Sequence, residues 1–172
     1  MDERKEIVNR VSGSSLVTFD LEDYFQAGDR IQFDLKDLLF HGLIVKEKDF
    51  RDYIKTHPWS QYQDKLVAIH CSADAIVPTW AYMLLTIALE PFARKIVFGN
   101  LQNLEEQLYK DELAKVNWAV YQDAKVVVKG CSKVDVPLSA YVEVVEKLRP
   151  FASSLMYGEP CSTVPLYKRP KQ

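Results

Sequence analysis

Two prolines bound the most apolar stretch of the chain, and they limit the possible folds more than any other feature. Pro78 opens and Pro91 closes the run PTWAYMLLTIAL, from Pro78 to Leu89. Proline at a first helical position gives up only an amide that would lack a partner anyway. The run is apolar nearly all round, which predicts a deeply buried helix. Immediately before it, Leu66 to Ile69 is a continuous apolar run of strand length. Lys95 to Phe98 repeats the strand signal and Gly99-Asn100 supplies its turn. Leu101 to Val116 reads as a charged amphipathic helix with Leu101, Leu104, Leu108 and Leu113 inward. Lys125 to Lys129 is a third strand. Pro137 to Leu148 is a further helix, with Leu138, Tyr141, Val145 and Leu148 inward and Pro150 at its limit. Strand and helix alternating with short connections predict an α/β fold, a mainly parallel sheet flanked by helices. Its crossovers should be right-handed.

The flanking regions are less regular. Residues 1–14 read as a charged lead-in, 15–156 as a single α/β domain, and 157–172 as a C-terminal loop and tail returning toward it. Leu16 to Leu21 has the composition of a strand, and the N-terminal part is the expected source of antiparallel edge strands. FDLEDYF at Phe19 to Phe25 is echoed by FDLKDLLF at Phe33 to Phe40. The carboxylates Asp20/Asp23 and Asp34/Asp37 read first as helix caps and solvated turn faces and second as oxygen ligands for a hard cation. Leu43 to Val45 reads as a short strand. Glu47 to His57 reads as an amphipathic helix with Phe50, Tyr53, Ile54 and His57 on one face, stopped by Pro58. His57 fits a packed helix-end histidine better than a ligand.

Bulk properties exclude several classes. The net charge of −2 and pI of about 5.9 give no basic field for nucleic acid. The apolar run around Ala75 to Leu89 is broken by Pro78 and too short to span a bilayer. MDERKEIVNR at the start has no apolar core of a secretory signal, so a cytoplasmic protein is expected. Three widely spaced cysteines do not make the disulfide frame of a small secreted domain.

Each cysteine is followed by serine, at Cys71, Cys131 and Cys161, with Val-Pro a few residues later. Cys71 and Cys131 fall at the carboxyl ends of predicted strands, where parallel sheets place ligands. Each precedes a helix whose leading residue, Val77 or Val136, is a poor cap. Uncapped N–H groups favour an anion or a thiolate. Cys161 lies on a segment long enough to fold back. The expected site is therefore a metal centre of Cys71, Cys131 and Cys161, with His70, Asp74, Asp135, Glu159 or an exogenous group as fourth ligand. Three thiolates select zinc, iron or an iron–sulfur cluster over magnesium or calcium. His70 is the weaker member, because neighbours on a strand point to opposite faces. A second reading is a thiol-dependent enzyme for acyl or sulfur transfer, with Cys131 or Cys161 as nucleophile and His70 as base. A third is a scaffold whose cysteines are simply buried. No nucleotide-binding or hydrolase fingerprint is present.

Several long blocks carry a family resemblance: GDRIQFDLKDLLFHGLIVKEKDFR, HPWSQYQDKLVAIHCSADAIVPTWAYML, KGC at Lys129 to Cys131 followed by VPLSAY, and MYGEPCSTVPLYKR. From Gly28 onward the chain resembles a bacterial family known as domain of unknown function 2480. That family carries no established activity. The resemblance implies an association with gene neighbourhoods for iron–sulfur cluster assembly, and hence assembly proteins as partners and a soft-metal or sulfur-handling role.

Overall fold

The structure is a computed structural model that describes residues 16–130, 133–159 and 162–170. Among these described residues are seven strands: β1 (Leu16–Asp20), β2 (Arg30–Asp34), β3 (Leu66–His70), β4 (Lys95–Phe98), β5 (Lys125–Lys129), β6 (Ser154–Glu159) and β7 (Ser162–Lys168). Four α-helices accompany them: α1 (Glu47–Thr56), α2 (Thr79–Leu89), α3 (Leu101–Leu113) and α4 (Leu138–Leu148). The chain divides into two compact units. One covers residues 26–108; the other combines residues 1–25 with 109–172, so the first is an insertion in the second. They are called here the inserted and the outer unit. The boundary falls inside α3.

In the inserted unit a three-stranded sheet runs β2-β3-β4, and both pairings are parallel. On one face, Val67 and Ile69 of β3 pack with Phe33, Leu35 and Phe50 and with Ala81, Leu85 and Leu89 of α2. On the other face, Leu66 and Ala68 pack with Leu104 and Leu108 of α3. A strand buried on both faces reads as a continuous apolar run, as Leu66 to Ile69 does. Each fully buried leucine contributes roughly 1.5–3 kcal/mol of transfer free energy.

The outer unit has the order β1-β5-β6-β7, parallel except for β6–β7. Phe19, Leu21, Val126, Val128, Ala140, Val144, Leu148 and Leu155 form its core.

The two units repeat one another. Trp59 to Gly99 aligns without a gap on Trp118 to Gly158, sharing among others Trp-x-x-Tyr-Gln-Asp, Val-Pro, Ala-Tyr, Leu, Pro-Phe-Ala and the final Gly. The backbone repeats as well. Asp64 and Asp123 both adopt positive φ, 59° and 60°. Their N–H groups donate to Phe92 O and Phe151 O at 2.9 and 3.0 Å. Core positions correspond one to one: Phe33 with Phe19, Ile69 with Val128, and Ala81, Leu85 and Leu89 with Ala140, Val144 and Leu148. Each repeat is strand, helix, short 3-10 turn, strand, helix, strand.

Several expectations change. The N-terminal strand β1 pairs parallel with β5, and β2 pairs parallel with β3; the antiparallel pair lies at the C-terminal edge, where the tail forms β7. In place of a strand at Leu43 to Val45 there is a turn, with an isolated bridge between Phe40 and Ile44. The α4 face is rotated: Ala140, Val144 and Leu148 are buried, and Leu138 is 81% exposed. An i, i+4 row through small Ala140 lets the helix approach its sheet, and Leu138 falls off that row. α2 is not buried all round, since Met83 and Ile87 are exposed.

Candidate functional site

The carboxyl ends of β2 and β3 bring a polar group together. Both units end their first strand in Phe-Asp followed by a 3-10 turn. The aspartate caps that turn: Asp20 Oδ1 accepts from Glu22 N–H at 3.1 Å, and Asp34 Oδ1 from Lys36 N–H at 3.0 Å. Capping by Asp satisfies an amide that the turn leaves without a partner. The cap reading therefore holds for Asp20 and Asp34, whereas Asp23 and Asp37 lie within the turns.

Asp34 does more than cap. Its Oδ2 accepts from Ser72 Oγ at 2.5 Å, and its Oδ1 also accepts from Ser72 N–H at 3.0 Å. His70 sits opposite Asp34 in the β2–β3 register, with Nε2 3.8 Å from Asp34 Oδ2. That nitrogen is buried and has no hydrogen-bond partner among the described residues. Burial pushes the Asp34 carboxyl up, but the Ser72 hydroxyl, the amides of Lys36 and Ser72 and the nearby His70 outweigh it. The result is a pKa held down at about 2. Asp34 is an anion throughout the physiological range.

Cys71 stands on the other face. Leu66 and Ala68 belong to the α3-side cluster, whereas Val67, Ile69 and Cys71 belong to the α2-side cluster. Alternation puts His70 with the first set. Cys71 is half-buried, and its thiol approaches Ala73 O at 3.7 Å. Burial first, then the charges of Cys71 and Asp34, push the Tyr82 hydroxyl of α2 above its ordinary pKa. Pro78, the N-cap of α2, makes no side-chain cap hydrogen bond. The helix therefore begins at Thr79, one residue later than the sequence predicts, and Pro78 rather than Val77 stands at the cap position.

Cys131 and Cys161 lie outside the described residues. Among the described residues, no three His, Cys, Asp or Glu side chains converge where a metal could bind. His57 is packed against Phe33, Tyr53, Trp59 and Tyr62 and bonds Tyr62 and Gln61, so its structural reading holds. A shallow cavity of about 320 Å³ opens elsewhere in the inserted unit, lined among others by Leu39, Phe40, Lys46 and Tyr53. It includes none of Asp34, His70, Cys71 and Ser72.

The outer unit carries a different set at the equivalent edge. Lys129 replaces His70 and makes a 2.9 Å ion pair with Asp20. Glu22 accepts from Lys133 N–H at 2.9 Å. Gly130 replaces Cys71. A Cβ there would lie 2.8 Å from the Tyr141 hydroxyl and 3.1 Å from Leu21 Cβ, so a side chain at this position requires those neighbours to shift.

The sequence over residues 5–169 matches the family described as Protein of unknown function (DUF2480). The chain belongs to that family. No curated protein and no solved structure matches it. In this DUF2480 protein the cysteine echo is shifted by one residue from the backbone repeat: Cys71 corresponds to Gly130, and Cys131 to Ser72. Ser72, which the sequence reading treated only as a companion of Cys71, proves to be the residue that bonds Asp34. The repeated Phe-Asp at Phe19-Asp20 and Phe33-Asp34 was the available signal for that edge. No helix is long and apolar enough to cross a membrane among the described residues.

Proposed function

We propose that this DUF2480 protein binds a soft transition metal, zinc or iron, or an iron–sulfur cluster through cysteine thiolates, and acts as a non-catalytic accessory to cluster assembly. Cys71 is the described thiolate donor; Cys131 and Cys161 are the chain's other two. The observation that carries the reading is the placement of Cys71. It is half-buried, at the carboxyl end of the central parallel strand β3 and ahead of a helix N-terminus without a side-chain cap. Parallel sheets bind ligands at such ends, and helix N-termini stabilise thiolates. His70 is left out of the ligand set, because it shares a face with Asp34 and not with Cys71.

The test is anaerobic purification followed by measurement of bound metal, acid-labile sulfide and the visible spectrum. Stoichiometric metal, lost in each of Cys71→Ser, Cys131→Ser and Cys161→Ser, is the expected result. Absence of metal with one thiol alkylated by iodoacetamide far faster than the others would replace this reading with a thiol-dependent enzyme. Inert thiols and no metal would leave a scaffold.

A further inference from the structure

The two repeats build the same aromatic cluster and complete it differently. In the inserted unit Phe33 packs on Trp59 and Tyr62, with ring centroids 6.1 Å apart in each case. In the outer unit Phe19 packs on Trp118 and Tyr121, at 5.5 and 5.7 Å. Each tryptophan opens a short 3-10 turn and each tyrosine ends it, at Trp59–Tyr62 and Trp118–Tyr121. Two places before the tryptophan stands His57 in one repeat and Val116 in the other. Just before the tyrosine stands Gln61 in one and Val120 in the other. Val116 packs against the outer core as a plain apolar side chain. The fold thus accepts valine at both places and does not itself require an imidazole.

Hydrogen bonding fixes the state of that imidazole. Gln61 Nε2 lies 2.9 Å from His57 Nε2, and the Tyr62 hydroxyl lies 3.2 Å from the same atom. An amide nitrogen only donates. His57 Nε2 therefore accepts, and the ring is neutral with its proton on Nδ1. The rings of Trp59, Tyr53 and Tyr62 stand around it, with centroids at 4.5, 4.7 and 5.8 Å. The titratable groups that face it are Tyr53 of α1 and Tyr62 of the 3-10 turn, while β2 presents Phe33. Burial pushes both tyrosines up, Tyr53 to about 12, so neither carries charge at or below neutral pH. His57 also ends α1 as its C-cap. A cation there is favoured where it reaches the last carbonyls, but Nε2 meets two donors instead. A protonated ring would set its N–H against the Gln61 amide. The hydroxyl can rotate and the amide can turn over, yet the charge would still lie among rings without an anion to pair it. Burial accordingly holds the His57 pKa below its ordinary 6.5.

We propose that His57 is a pH-sensitive latch: neutral, it holds the last turn of α1 against the 3-10 turn that follows, and protonated, it lets that turn go. The latch belongs to the inserted unit alone, because Val116 gives the outer unit nothing to titrate at the same place. A ring whose closed-state pKa lies below its open-state value stabilises the closed state above pH 6.5, and that contribution is lost as pH falls toward the closed-state value. The segment released is α1, which also supplies Phe50 and Tyr53 to the wall of the shallow cavity, so the cavity is what acid would reshape.

The test is nitrogen NMR of the imidazoles in the full chain, with hydrogen-exchange protection factors read at the amides of Tyr53 to His57 from about pH 8 to about pH 5. The expected result is a His57 ring protonated on Nδ1 at neutral pH, titrating below 6.5. Protection in the last turn of α1 should fall over the same range, while the α4 amides keep theirs. His57→Val, which copies Val116, should hold that protection flat across the range. If His57→Val does not fold, Gln61→Val decides: it copies Val120, removes the amide donor and should raise the His57 pKa toward the ordinary value. A neutral ring protonated on Nε2 overturns the proposal, as does a His57 pKa at or above 6.5 in the folded chain. So does α1 protection that ignores His57 titration, or that falls equally in His57→Val. A His57 pKa that does not move in Gln61→Val overturns it as well.

Discussion

Lys129 Nζ lies 2.9 Å from Asp20 Oδ2 across β1 and β5, and the pair is a charged version of His70 with Asp34, which occupy the same register across β2 and β3. The outer unit closes its strand ends with a permanent cation. The inserted unit leaves an imidazole nitrogen 3.8 Å from its carboxylate and lets a serine hydroxyl take the bond.

His70→Lys should therefore import the outer unit's ion pair. A partly exposed pair of this kind contributes about 0–1 kcal/mol, so urea unfolding at neutral pH should show a small gain or no change. A loss well beyond that range would show that His70 has packing that lysine cannot replace.

Asp34 sets an acid limit. Its folded pKa, about 2, lies below the ordinary value of 3.8. A depressed carboxylate stabilises the fold above its unfolded pKa, and that stability is lost as pH falls through the folded value. Unfolding free energy should decline between about pH 4 and pH 2. Asp34→Asn should flatten that part of the profile. Asp34→Ala, which also removes the cap, should cost about 1–2 kcal/mol at pH 7 by urea titration.

Gly130→Ala tests whether the outer unit excludes the side chain that the inserted unit carries at Cys71. The new Cβ would press on the Tyr141 hydroxyl and Leu21. Overpacking of this size costs about 1–3 kcal/mol. Tyr141→Phe removes the nearer atom and should recover part of the loss in a double-mutant cycle. Full additivity would place the strain elsewhere.

Arg169 anchors β7. Its guanidinium pairs with Asp123 and donates to Phe151 O and Ala152 O at 2.6 and 3.1 Å. Arg169→Ala should speed exchange of the β7 amides at least tenfold, equivalent to about 1.4 kcal/mol of local stability, while β5 remains protected. Equal loosening of β5 would mean that β7 and the sheet open as one unit.

Strand and helix positions were legible because their apolar runs and bounding prolines are local signals. The α1, α2, α4, β3, β4 and β5 segments follow them closely. The exposure of Met83 and Ile87 was not legible, since an all-apolar helix does not show which side meets a neighbour. β7 was hidden because Pro165 interrupts a strand pattern. The structure tolerates it opposite Met156, next to a register irregularity on an antiparallel edge. The repeat itself was half seen. Aligning on Cys-Ser matched Cys71 with Cys131, one residue out of phase, whereas Trp, Tyr, Gln-Asp and Val-Pro give the structural register. Asp34 ends β2 and Ser72 lies in the loop after β3, and no local pattern joins residues so far apart.

Placing one repeat inside the other also orders events in time. Among the described residues the only sheet neighbour of β1 is β5, so Leu16 must wait for Lys125. A ribosome delivering the chain from its N-terminus has completed every strand of the inserted unit before β5 emerges. The inserted unit has short-range contacts and can form as soon as it is made, whereas β1 stays unpaired until the rest of its own unit follows. During that interval LVTFD is an unprotected strand, and translation speed across residues 26–124 sets how long it is exposed to other chains.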